Sequence, residues 1–161
     1  MTQHTISLLV ANKPGVLLRI ALIFSRRGFN IESLVVCAAM DGNFSRMTIT
    51  ALGDPETLEQ IIKQAAKLVD VLSASEHLDD AFSKELALIK VKTASKRQAE
   101  LLQLVEHFKA QAVEMNPEST IIQMTADSDK IDSMINMLKQ FEILELVRTG
   151  KVMITKGLEK T

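Results

Sequence analysis

The stretch from Asn12 to Leu17, reading Asn-Lys-Pro-Gly-Val-Leu, does more than any other to restrict what this chain can become. It joins an apolar strand pattern, His4 to Ala11, to an apolar helical stripe, and a second glycine, Gly28, follows one helix length later. Pro14 pre-sets φ and lacks the N–H that a first helical turn leaves unpaired, while Gly15 adds no side chain. A helix over Val16 to Arg27 is predicted, striped by Leu17, Ile20, Ala21 and Phe24 and closed by two arginines and Gly28. Ile31 to Ala39 follows as a nearly continuous apolar strand, which reads as buried. Asn12 and Asn30 flank this strand-turn-helix-strand unit at points where amides can face a small ligand. The peptide N–H groups around Gly15 and Val16 would favour a carboxylate at the positive end of the helix dipole by about 0.3–1 kcal/mol. A free amino acid suits such a place, and nothing in the run is a catalytic group.

The same rhythm continues through the chain. Asp41-Gly42 turns it, and Phe44 to Leu52 sets Arg46, Thr48 and Thr50 against Met47, Ile49 and Ala51, as a strand with one wet and one dry face requires. Asp54 caps a helix with Pro55 in its first turn and Leu58, Ile61, Ile62 and Ala65 along one stripe, and Leu68 to Leu72 returns as a strand. Ser75 to Ser83 breaks the apolar periodicity. Beyond it, Glu85 to Thr93 reads as a strand, Ser95 with Gln98 as a capping box, and Leu101, Leu104, Val105 and Phe108 as a helical stripe. Strands over Ala112 to Met115 and Thr120 to Ala126 precede a helix capped by Asp127 or Ser128 and striped by Ile131, Ile135 and Leu138. Ile143 to Ile154 closes the chain as a strand broken near Gly150. The predicted fold is α+β: two ferredoxin-like βαββαβ sandwiches in tandem, residues 1–75 and 84–161, with 76–83 as the linker. A four-stranded sheet this small leaves open edges, so burial against a second copy is expected.

Composition removes several classes of function. Nineteen lysines and arginines against twenty acids give a net charge of −1 with the two signs interspersed, unlike the clustered basic field of a nucleic-acid surface. Arg26-Arg27 and Lys96-Arg97 read as solvated helix ends. The single cysteine, Cys37, has no internal partner and reads as a buried, inert thiol in a reducing compartment. The chain opens directly into a strand pattern, with neither a signal core nor a membrane-length apolar run, so a cytoplasmic location is expected. His4, His77 and His107 are not at metal-ligand spacing, and no phosphate loop or nucleophile motif is present. No catalytic residue and no metal site are assigned. Met124, Met134 and Met137 read as core filling.

His4-Thr5-Ile6-Ser7 leading to Asn12-Lys13-Pro14-Gly15-Val16-Leu17, then Phe24 to Leu34 (FSRRGFNIESL) and Ser45-Arg46-Met47-Thr48-Ile49, resembles the N-terminal ACT domain of the small, regulatory subunit of acetolactate synthase. Lys84 to Val91 (KELALIKV) and Phe141 to Gly150 (FEILELVRTG) are similar to that family's C-terminal domain. The resemblance implies a non-catalytic homodimer that binds the catalytic large subunit, raises its activity and makes it sensitive to a branched-chain amino acid, usually valine. Thiamine diphosphate, magnesium and FAD would then belong to the large subunit, with no cofactor in this chain. It further implies an effector held between two ACT domains, by Asn12, Gly15, Val16 and Leu17 of one protomer with Asn30 and Ile31 of the other. A free-standing ACT-type amino-acid sensor serving another enzyme or a transcription complex is the alternative reading. A third is a small α+β-sandwich hydrolase acting on phosphate-like groups.

Overall fold

The computed structural model describes residues 2–76, 81–158 and 161. The chain divides into two compact units, one of residues 1–83 with 150–161 and one of residues 84–149.

In the first unit, β1 (Thr2–Ala11), β2 (Asn30–Ala38), β3 (Phe44–Gly53) and β4 (Val71–Glu76) form an antiparallel sheet in the order β2-β3-β1-β4, with α1 (Val16–Arg26) and α2 (Pro55–Ala65) as its helices. Strand pairing puts Ile6 opposite Ile49 and Leu8 opposite Met47, and those side chains are buried together with Ile20 and Phe24 of α1 and Leu58 and Ile61 of α2. The period-2 and period-3.6 stripes of the sequence therefore meet in one core. Asp54 is the N-cap of α2, accepting the Thr57 N–H at 2.8 Å, and Pro55 opens the helix, as expected. Gly42 turns the β2–β3 hairpin at φ 71°.

In the second unit, β5 (Ala81–Lys92), whose first three residues belong to the first unit, leads through a 3-10 turn (Ser95–Arg97) to α3 (Gln98–His107), then β6 (Gln111–Met115), β7 (Ser119–Ala126), α4 (Ser128–Leu138) and β8 (Glu142–Arg148). The order β6-β7-β5-β8 repeats that of the first sheet. Leu101, Val105, Ile122, Ile131, Met134 and Leu138 fill its core.

Several expectations need correction. Residues 150–161, including β9 (Val152–Thr155), group with the first unit rather than the second. Gly150, at φ 80°, packs so tightly on Ser33 that a Cβ would fall 2.3 Å from the serine Cβ, and Arg46 donates to the carbonyl of Thr161. Of the expected linker, Glu76 lies in β4 and residues 81–83 in β5, while residues 77–80, with His77, fall outside the described residues. Strand β4 begins at Val71, because the N–H groups of Leu68 and Val71 close turns onto Ala65 and Leu68. Strand β2 is an edge, not a buried strand: Val36, Cys37 and Ala38 are exposed, so the thiol is not buried. Ser95 lies within the 3-10 turn, and Arg97 rather than Ser95 stands at the N-cap of α3. Asp127 stands at the N-cap of α4, but its carboxylate pairs with Lys84 at 2.8 Å. Met124 and Met134 are buried, whereas Met137 is exposed.

Candidate functional site

The turn between β1 and α1 is built by its two special residues. Gly15 adopts φ 84° and ψ −11°, the dihedrals of the third residue in a type II turn that Pro14 enters, and the Val16 N–H reaches back to the Lys13 carbonyl at 3.4 Å. Pro14 thus shapes the turn before the helix rather than the first helical turn itself. Gly15 then serves as N-cap with no side chain to cap anything. Among the described residues the N–H groups of Gly15, Leu17 and Leu18 meet no acceptor, which leaves the open amides that an anion requires.

Arg19, which the sequence reading passed over, strengthens that character. Its guanidinium lies close enough that a Cβ on Gly15 would be 3.3 Å from Nη1, and its position is held by an ion pair with Asp70. The signal was available: Arg19 is four residues after Gly15, one helical turn away. Asp70 also anchors the strand end, its carbonyl accepting the Ala11 N–H at 2.7 Å.

The two asparagines are engaged rather than free. Asn12 Nδ2 donates to the Gly42 carbonyl at 3.0 Å and the Asn12 N–H to the Asn43 carbonyl at 2.8 Å, which ties the turn to the β2–β3 hairpin. Asn30 Nδ2 donates to Glu32 at 2.7 Å. Val16 is buried, while Leu17, expected on the apolar stripe, is exposed. Val16, Ile20 and Phe24 form the true buried stripe. Asn30 and half-buried Ile31 line a separate depression of about 390 Å³ with Phe24, Gly28 and Phe29. That depression and the Gly15 turn are at opposite ends of α1, a helix of 11 residues and so about 16 Å long. One copy of the chain does not bring the six expected residues together.

Among the described residues no three His, Cys, Asp or Glu side chains group as metal ligands. No helix there is long and apolar enough to cross a membrane.

Residues 6–73 match the model of the AHAS small subunit-like ACT domain, and residues 84–157 match that of the small subunit of acetolactate synthase. A probable acetolactate synthase small subunit from Archaeoglobus fulgidus is 44% identical over 158 residues, covering 98% of this chain and 99% of that one. The chain belongs to the acetolactate synthase small-subunit family. The small subunit from Mycobacterium leprae is 41% identical over 98% of this chain and 94% of its own length. The crystal structure of the Thermotoga maritima acetolactate synthase small subunit superposes with a TM-score of 0.86 at 38% identity, covering 99% of this chain and all of that one. Both units thus have counterparts in that small subunit, and the tandem α+β architecture is shared.

Proposed function

We propose that this small subunit is the non-catalytic regulatory partner of an acetolactate synthase catalytic subunit in the cytoplasm. It activates that partner and confers feedback inhibition by valine or a related branched-chain amino acid. The observation that carries the effector reading is the uncapped start of α1: three amides without acceptors among the described residues, beside the Arg19 guanidinium, a natural place for an amino-acid carboxylate.

Two copies complete the pocket. Among the described residues β2 is the outermost strand of its sheet, and α1, which leads into it, exposes Leu17, Leu18 and Leu22. Pairing along this edge covers the leucines and brings Asn30 and Ile31 of one copy to the Gly15 turn of the other. Effector binding then shifts the dimer arrangement, and the differential affinity for two arrangements, commonly about 1–3 kcal/mol, supplies the coupling to the partner. Thiamine diphosphate, magnesium and FAD belong to the catalytic subunit in this reading.

The test is reconstitution with the large subunit while following acetolactate formation. The expected result is a higher rate on adding this chain and a fall in that rate on adding valine. An unchanged rate with and without this chain defeats the regulatory reading.

A further inference from the structure

A cavity of about 750 Å³ opens in the second unit at the corner where β5 runs into the 3-10 turn before α3. It occupies the same point in the βαββαβ order as the Gly15 turn does in the first unit, but its chemistry is different. Arg97, expected as a solvated helix end, is part of its lining and is held from three sides. Its Nε and Nη2 donate to the two Glu100 oxygens at 2.9 and 3.0 Å, Nη1 donates to the Gln140 carbonyl at 2.9 Å, and the guanidinium lies 4.4 Å from the centroid of the Phe141 ring.

A guanidinium has five N–H donors, and these contacts use three of them. The remaining donors have no acceptor among the described residues. Lys92, also on the lining, is paired with Glu142 at 3.0 Å. Phe141 and exposed Leu144 supply apolar lining, and buried Thr93 is engaged by Thr120 at 3.1 Å. The volume and the mix of apolar surface with a few fixed polar groups match small-molecule sites, which span about 300–1,000 Å³. An arginine already immobilised loses little further rotamer freedom when a ligand binds.

We propose that this cavity is a second ligand site, separate from the Gly15 turn, for a small carboxylate on an apolar body. The carboxylate meets the remaining donors of Arg97, and the apolar body lies against Phe141 and Leu144. Glu118 on the lining offers an acceptor to an α-ammonium group, so amino acids and their deaminated counterparts are compared.

Amide NMR of the full chain provides the test, with phenylacetate and 4-methylpentanoate in one arm and phenylalanine and leucine in the other. The expected result in either arm is a saturable shift of the Thr93, Arg97 and Leu144 amides. The deaminated acids are expected to leave Gly15 and Leu17 unmoved. Arg97→Gln should weaken binding by about tenfold or more, the loss of a charge-assisted contact. Leu144→Glu changes an exposed position and should abolish binding while the remaining spectrum stays native. No saturable shift at these amides up to about 10 mM in either arm overturns the proposal. Binding that survives both substitutions does the same, leaving Arg97 a structural pin between α3 and the start of β8. Neither outcome bears on valine inhibition in the reconstituted enzyme, which is read at different residues.

Discussion

At the scale of single residues, two glycines decide most. Gly15 combines a left-handed backbone with open amides, so Gly15→Asp places a carboxylate where the effector's own carboxylate would sit. The expected variant still raises the activity of the catalytic subunit but no longer conveys valine inhibition, as measured by acetolactate formation at rising valine. Unchanged valine inhibition would refute the assigned site. Alanine lacks two carbons of valine, worth about 1.6 kcal/mol at about 0.8 per buried methylene, so it should bind about fifteen-fold more weakly by calorimetry. Gly53 is a packing position: a Cβ there would fall 2.0 Å from the Phe29 ring. Gly53→Ala must push the ring aside, and a loss of about 1–3 kcal/mol in urea unfolding is expected. Because Phe29 precedes Asn30 and Ile31, the same substitution should disturb the depression at that end of α1.

At the scale of elements, α2 shows how a local signal becomes structure. The Thr57 N–H beside the Asp54 carboxylate holds its pKa below the ordinary aspartate value. A depressed carboxylate contributes its full stabilisation above the unfolded-state pKa and loses it as pH falls through the folded-state value. The urea midpoint should therefore drop on acidification through that window, and Asp54→Asn, which keeps an acceptor without the charge, should flatten this part of the profile. A profile identical to that of the parent would show that the cap charge is immaterial. Helices and inner strands were legible from periodic apolar stripes and from explicit start and stop signals: Pro55 after Asp54 at a helix start, Gly28 after the arginines at a helix end, Asp41-Gly42 in the hairpin. Strand β2 was misread as buried because an apolar run reveals hydrophobicity without revealing how many neighbours the strand has. The displaced start of α3 has a similar origin. The spacing of Ser95 and Gln98 fits the pattern, but the chain takes a 3-10 turn first and starts α3 at Gln98.

At the scale of the whole molecule, the proposed effector pocket belongs to a pair of chains, so oligomeric state and ligand binding should fail together. Leu18, 64% exposed on α1, is a position where a charge spares the monomer's core. Leu18→Glu is expected to shift sedimentation towards the monomer and to weaken valine binding in parallel, whereas tight valine binding by a monomer would refute the shared pocket. The sequence by itself determined the α+β class, the two βαββαβ rounds, the buried face of α2 and the location of the Pro14-Gly15 turn. These depend on local backbone preference and on periodicity, which adjacent residues carry. Only the tertiary structure decided that β2 lies at an edge, that residues 150–161 return to the first unit, that Asn12 is spent on the hairpin, and that Arg19 and Asp70 meet beside Gly15. Each of those facts is a contact between segments distant in the chain, and its partner is chosen by packing and charge in space, where sequence spacing has no bearing.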